Sequence, residues 1–388
     1  MTFKYPLATA TWDQKEIDAM QSVIESGNFT MGEKVSLFER NFSNYIGSKN
    51  SVMVNSGSSA NLLMIAALFY SKNPKIKLKR GDEVIVPAVS WSTTYYPLYQ
   101  YGLKIKFVDI DIETLNYDLV QLESAISNKT RVVLAVNLLG NPNDFNFINS
   151  IIKNKNIILL EDNCESMGAI FNDKKTGTIG LMGTFSSFYS HHISTMEGGI
   201  IVTDDEELHQ ILISLRSHGW TRELPEKNLV CEDKSDDYLK ESFRFVLPGY
   251  NVRPLELEGA VGIEQIKKLP MIISERRKNA KLFVDILHNH PDLIIQKEIG
   301  KSSWFGFSIV IRPGSSLTRT QLVNKLTDLG FEFRPIVTGN FLKNDVVKYF
   351  DFEISNNLKN AEYIDKNGLF LGNHHYSIKD AFKALSTL

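Results

Sequence analysis

RVVLAVNLLG, residues 131–140, and NIILLEDN, residues 156–163, decide the fold. Each is a short, unbroken apolar run that passes abruptly into polar residues. Continuous rather than alternating runs belong to strands buried on both faces. DEVIVPAV (82–89) and KIKFVDI (104–110) are of the same kind, and helical segments separate the four. This rhythm predicts βαβ units and a mostly parallel sheet covered by helices on both sides. Upstream, SGSSANLLMIAALFYSKNP (56–74) reads as a turn opening into an apolar helix. Downstream, FSSFYSHHIST (185–195) and EGGIIVTDDEEL (197–208) read as two strands around a Gly-Gly turn, with a helix starting in the acidic stretch. From Gly219 to Ser242 the chain is irregular and charged, a surface segment suited to covering a substrate. A long helix from Leu255 then leads into WFGFSIVIRP, TRTQLVNKLTDLG and FEFRPIV. Two domains are expected: a large α/β unit over 1–254 and a smaller αβ unit over 255–388.

The composition narrows the function. Of 388 residues, 43% are hydrophobic and 23% charged, as in ordinary globular proteins. A net charge of -2 gives no electrostatic case for nucleic acid or for polybasic contact with a membrane, so a small-molecule partner is expected. The two cysteines, Cys164 and Cys231, are too few for a disulfide framework, or for an iron–sulfur cluster with its about four thiolates. No run approaches the roughly 20 apolar residues of a membrane span, and MTFKYPLATATWDQK at the start has no apolar signal core. A cytoplasmic enzyme is expected.

Sheets of this class bind ligands at the carboxyl ends of their strands, and four places there carry candidate chemistry. Gly57 and Ser58 sit in a turn at a helix N-terminus, where backbone N–H groups suit a phosphate or merely cap the helix. Asp162 ends an apolar run; it is either a cap or ion-pair partner, or the acid that keeps a proton on a heteroaromatic ring nitrogen. Trp91 follows a strand, and packs in the core unless a planar cofactor makes it a platform. Ser186, His191 and His192 form the fourth place. Neighbours on a strand face opposite ways, so the two histidines make a poor metal site, and one of them is expected to face the strand ends as a proton carrier.

The order and spacing of these signals resemble the pyridoxal-phosphate-dependent nucleotide-sugar aminotransferases of fold type I, the aspartate aminotransferase class. The resemblance runs through FTMGEKVSLFERNFSNYIG (29–47), SGSSANLLMIAAL (56–68), GDEVIVPAVSW (81–91), EDNCESMGA (161–169) and LPGYNVRPLELEGAVGIEQIKKLP (247–270), so it covers most of the chain. It implies a mostly parallel seven-stranded sheet with a smaller C-terminal αβ domain. Gly57, Ser58 and Ser186 would hold the cofactor phosphate, Trp91 would stack on the pyridine ring, Asp162 would pair with its nitrogen, and Glu165 would lie near the ring. Asn251 would reach the cofactor phosphate of a neighbouring subunit, which implies a homodimer with shared sites.

One position departs from the family. Counting back from EGG, the Schiff-base lysine falls at His191, and an imidazole cannot make that covalent link although it can move protons. The same replacement marks the sugar 3-dehydratase branch, and LMGTFSSFYSHHISTMEGG (181–199), AVSWSTTYYPL (88–98) and HGWTRELP (218–225) resemble its GDP-linked, cluster-free members. This implies non-covalent pyridoxal 5'-phosphate and pyridoxamine 5'-phosphate, no iron–sulfur cluster, L-glutamate as amino donor and a GDP-linked 4-keto-6-deoxy sugar as substrate, within colitose and O-antigen assembly. Arg222 is then the candidate for the diphosphate and His218 for the sugar. Arg334 has two uses open, a sugar hydroxyl or the glutamate carboxylate, and for all three a surface ion pair is the plain alternative.

Three rival readings remain at this point. The first is an ordinary, perosamine-synthase-like aminotransferase with its lysine moved to Lys174 or Lys175. The second is a non-catalytic protein that binds the cofactor for regulation, and the third is a metalloprotein using His191, His192 and His218.

Overall fold

In the computed structural model, which describes residues 3–388, the four apolar runs are central strands of one sheet. The chain opens with α1 (Gln14–Ser26), α2 (Glu33–Ile46), β1 (Asn50–Val54), α3 (Gly57–Tyr70), β2 (Glu83–Pro87), α4 (Ser92–Gln100) and β3 (Lys104–Val108). It continues with α5 (Leu119–Ala125), β4 (Thr130–Val136), α6 (Phe145–Ile152), β5 (Ile158–Asp162), and a hairpin of β6 (Ile170–Phe171) and β7 (Lys174–Lys175). Next come β8 (Met182–Ser186), β9 (Gly199–Thr203) and α7 (Glu206–Arg216). The charged segment holds only a hairpin of β10 (Lys227–Asn228) and β11 (Glu232–Asp233), and the short α8 (Tyr238–Ser242). The rest is α9 (Glu256–Leu287), β12 (Leu293–Ile295), β13 (Gly306–Ile311), α10 (Arg319–Asp328), β14 (Phe333–Arg334), β15 (Phe352–Ile354), α11 (Lys359–Asn367), β16 (Gly368–Gly372) and α12 (Lys379–Leu385).

The large sheet runs β1-β9-β8-β5-β4-β2-β3-β15, and β9 alone is antiparallel to its neighbours. It is one strand wider than the seven expected. The addition, β15, comes from the C-terminal third and has three residues, too few to show a period. Ion pairs hold it in place: Glu353 meets Lys104 at 3.0 Å and Lys106 at 2.8 Å, both on β3. β2, β5 and β8 are buried at every position, as strands covered on both faces must be.

α3 is apolar all round because it lies sandwiched between the sheet, α4 and α7. Its buried Asn61 is the polar exception and points toward the site described below. The second, antiparallel sheet runs β12-β13-β16-β14 and packs on a core that includes Phe283, Phe307, Leu322 and Phe382. α9 is shared between the two cores. Ile266, Leu269, Ile272 and Ile273 join Phe38, Phe42 and Phe185, whereas Phe283 and Leu287 belong to the smaller core. Among the described residues no helix is long and apolar enough to cross a membrane.

Candidate active site

Loops leaving the carboxyl ends of β1, β2, β4, β5 and β8 converge on one cavity of about 350 Å³. Gly57, Ser58, Trp91, Asp162, Glu165, Ser186, His191 and Arg334 all line it. The N-terminal end of α3 enters through Gly57 and Ser58, bringing the positive end of a 14-residue helix. Gly57 is required sterically: a Cβ there would lie 2.7 Å from the Cβ of Ser186 and 3.0 Å from the sulfur of Cys164. The Ser58 hydroxyl donates to Thr93 Oγ1 at 2.9 Å, and the Ser186 hydroxyl accepts from the Phe188 N–H at 3.2 Å.

Asp162 closes β5 with 5% of its surface exposed. Its Oδ2 accepts from Asn61 Nδ2 at 2.9 Å and from Thr94 Oγ1 at 2.8 Å, and its Oδ1 accepts from the Cys164 N–H at 3.1 Å. Asn61 cannot turn away, because its own oxygen accepts from Thr184 Oγ1 at 2.6 Å. These donors are all neutral. A buried carboxylate so fixed and without a cation is suited to an N–H⁺ arriving from a ligand. Together with the helix end, the two serines and the indole of Trp91, which is 58% exposed in the cavity wall, these residues fit pyridoxal phosphate by their own chemistry.

His191 and His192 do not lie on a strand, contrary to the reading of FSSFYSHHIST as one. β8 ends at Ser186, and residues 187–198 fold back as a loop closed by the Ser187 and Thr195 hydroxyls at 2.6 Å and by the Thr195 N–H to the Ser187 carbonyl at 2.9 Å. Gly198 lets the loop close, since a Cβ there would strike both of those hydroxyls, and its φ is 147°. The two imidazoles still part company. His191 lines the cavity, whereas His192 is fully buried, with Nε2 3.2 Å from the Ser303 carbonyl oxygen. Burial and the nearby Arg276 cation push the His191 pKa down to about 4, so at neutral pH it is an uncharged base.

Glu165 accepts from the Leu139 N–H at 2.9 Å, and burial together with neighbouring Asp162 raises its carboxyl to about 7. Leu139 takes a positive φ of 52° to make that bond, and the cavity-lining Val337 has one of 50°; both are strained conformations for such side chains. Burial also drives the Cys164 thiol well above its usual range.

His218, Arg222 and Asn251 are absent from the lining of their own chain's cavity. The Arg222 guanidinium stacks 4.1 Å from the Trp220 ring and 5.3 Å from that of Phe243, and donates to the Ser242 carbonyl from Nε and Nη2, each at 3.1 Å. The His218 ring meets Trp220 edge-on at 4.9 Å, and Asn251 accepts from Arg253 Nε at 3.1 Å. Around them Phe243, Phe245, Tyr238 and Leu239 are exposed. Lys174 and Lys175 form β7, away from the cavity, and no lysine lines it. Among the described residues no group of three His, Cys, Asp or Glu side chains is placed to hold a metal ion.

Several lining residues went unread in the sequence: Asn61, Thr94, Asn137, Glu197 and Phe305. Asn61 had a signal, a lone amide within an apolar helix. Phe305 had none.

The family model of the DegT/DnrJ/EryC1/StrS aminotransferases matches residues 10–383. GDP-4-keto-6-deoxy-D-mannose 3-dehydratase of Escherichia coli O55:H7 is 64% identical over 377 residues, which is 97% of each chain. A solved structure of E. coli GDP-4-keto-6-deoxy-D-mannose-3-dehydratase with bound hydrated PLP superposes with a TM-score of 0.98 at 63% identity, covering 100% of this chain and 99% of that one. Another, of GDP-4-keto-6-deoxymannose-3-dehydratase with a trapped PLP–glutamate geminal diamine, gives 0.97 at 63% identity and covers 99% of both chains.

Proposed function

Since the chain belongs to the DegT/DnrJ/EryC1/StrS aminotransferase family, we propose that it removes the C3 hydroxyl of GDP-4-keto-6-deoxy-D-mannose, with L-glutamate as amino donor. The observation that carries this reading is a cavity built for pyridoxal phosphate in which His191 stands where the family's lysine falls and no lysine lines the wall. The products are GDP-4-keto-3,6-dideoxy-D-mannose, 2-oxoglutarate and ammonia. The oxygen lost from the sugar leaves as water, and the electrons come from oxidation of glutamate.

When bound, the cofactor supplies an electron sink and, once aminated by glutamate, the amine that condenses with the C4 ketone. Gly57, Ser58 and Ser186 hold its phosphate at the end of α3, and Trp91 covers its ring. Asp162, fixed by Asn61 and Thr94, keeps the ring nitrogen protonated. The neutral His191 imidazole would take one proton from the amine-bearing C4′ carbon of the bound cofactor and would give it to the C3 hydroxyl oxygen as that leaves as water, so a single side chain serves as base and then as acid. A lysine at this position would anchor the cofactor covalently; the imidazole leaves it non-covalent.

A homodimer completes the site. Asn251 reaches the cofactor phosphate bound by a second copy, while His218 and Arg222 meet that copy's sugar and diphosphate. The exposed aromatic surface around Arg222 supports this arrangement, since such patches are usually covered. Arg334 lines the cavity within its own chain, which supports a role in binding the glutamate carboxylate or a sugar hydroxyl.

The test is incubation with the GDP-sugar, pyridoxal phosphate and glutamate, followed by mass spectrometry. Loss of one oxygen with release of ammonia is expected. A stable product that has gained nitrogen, or cofactor joined to the chain after borohydride reduction, overturns the reading in favour of transamination.

A further inference from the structure

Behind the histidine loop lies a buried cation without a carboxylate. Arg276, on α9, is 5% exposed, and burial alone pushes its guanidinium down to about 10. Its Nη1 donates to the Phe305 carbonyl at 2.9 Å and to that of Trp304 at 3.4 Å, while Nε makes no hydrogen bond. Asn373 ties the same place together, donating to the Arg276 carbonyl at 3.1 Å and to the Trp304 carbonyl at 2.9 Å. From the other side, the N–H groups of Ser303 and Phe305 donate to Gly140 at 2.9 Å and Leu139 at 3.0 Å. The strap 302–305 is therefore held against both domains. Trp304, within it, takes a positive φ of 49° that these bonds enforce.

The strap carries Phe305, whose ring lies 5.2 Å from the His191 ring and 5.7 Å from that of His192. His191 has few other restraints: its Nδ1 is buried without a hydrogen bond, and the Phe188 ring stands edge-on at 5.9 Å. No carboxylate acts as orienting partner to this imidazole. A packed ring and a positive charge take that place.

We propose, resting on the function above, that Arg276 is a positioning residue for the reaction: it clamps the strap that sets the Phe305 ring against His191, and keeps a positive charge behind the imidazole. The charge disfavours imidazolium. His191 thus starts as a free base and, once protonated, readily gives its proton up to the leaving oxygen. The other titratable groups lining the same cavity are Asp162, Cys164, Glu165, Glu197 and Arg334, and the buried, uncharged His192 follows His191 on the loop. The carboxylates act in the opposite sense, and burial, the larger influence, together with Arg276 outweighs them.

The experiment compares wild type, R276Q, R276K and F305L in the full-length chain. In the cofactor-free protein, the ring-proton resonance of His191, assigned by its loss in H191N, is titrated by NMR. R276Q raises its midpoint by about one pH unit, and R276K leaves it in place. In the loaded enzyme the acid limb of kcat/KM for the GDP-sugar moves up by the same amount in R276Q. F305L leaves the limb where it is but lowers kcat about tenfold, with KM little changed. A folded R276Q whose His191 midpoint and acid limb both match wild type overturns the proposal. Should R276Q fail to fold, F305L decides, and wild-type kcat there overturns it. A wild-type chain that forms no dehydrated product sinks the function instead, while leaving the NMR comparison to stand or fall by itself.

Discussion

The loop 187–198 and the segment 219–245 are both irregular connections bearing polar and aromatic residues, yet the chain treats them in opposite ways. The first is locked from within. Beyond its own closure, the Ser194 N–H donates to Gln265 at 3.0 Å and the Ser194 carbonyl accepts from Trp12 Nε1 at 2.9 Å, while His192, Ile193 and Thr195 are fully buried. The second is moored at its root, where Arg216 pairs with Glu39 at 2.6 Å and with Glu223 at 2.7 Å, and is then left open. Phe243 is 67% exposed and Leu239 81%. The first also leaves Phe188 and Tyr189 exposed at its tip, but its fixed body can hold a proton carrier to the tolerance that chemistry demands, whereas the larger apolar surface of the second is finished by whatever covers it. The first should therefore govern the chemical step and the second assembly and substrate capture.

The sharpest way to break this contrast is His191→Ala. Removing a general base costs about 10²- to 10⁴-fold in rate, so dehydration falls by about three orders of magnitude at saturating sugar, with the circular dichroism spectrum unchanged. Asp162→Asn comes next. A neutral amide in place of the carboxylate leaves the ring nitrogen without its anion, and kcat drops about a hundredfold while cofactor retention, followed by absorbance, also weakens. A variant of either residue that altered only KM would place the chemistry elsewhere.

Arg222→Ala probes the other region, and here the effect belongs in KM for the GDP-sugar, raised about tenfold by loss of one charge-assisted contact. Complementation then tests the division of labour. If Arg222 serves a second copy, mixing inactive H191A with R222A under exchange creates hybrid dimers in which one site has both native residues. At most about one quarter of the wild-type sites are restored, as the symmetry of random pairing requires. No recovery above the sum of the separate variants means that Arg222 serves its own chain, and the contrast fails.

The sequence carried the large sheet well because DEVIVPAV, RVVLAVNLLG and NIILLEDN are buried on both faces, and double burial leaves an unbroken apolar run. His191 could be singled out by counting back from the Gly-Gly pair, which is sterically compelled: a Cβ at Gly199 would strike the Ser56 carbonyl. What it did not carry was made by contacts distant in the chain. β15 has three residues and depends on Glu353 meeting Lys104 and Lys106. The loop around His191 resembled a strand because its aromatic and β-branched residues suit one, and the Ser187–Thr195 bonds that close it as a loop show only in the folded chain. Phe305 lies in unremarkable surroundings in sequence and reaches the cavity, with Arg276 bonded to its carbonyl, only when α9 and residues 302–305 fold together.

The smallest expected effect belongs to Glu165, and it tests how strongly the surroundings of the cavity act on a carboxyl that lines it. Burial and Asp162 raise its carboxyl to about 7, against the ordinary 4.5, with the Leu139 N–H opposing them. The folded chain thus binds a proton between those values that the unfolded chain has released. With more protons bound in the native state, stability contributed by this group is present below pH 4.5 and is lost as pH rises through 7. Glu165→Gln removes the ionisation but keeps an oxygen to accept from Leu139. In cofactor-free protein, the thermal midpoint of wild type relative to this variant should therefore fall between about pH 5 and pH 8 by roughly 2 °C. Parallel curves for the two proteins would mean that Glu165 ionises in the folded chain as it does in the unfolded one, and that neither burial nor Asp162 acts on it there.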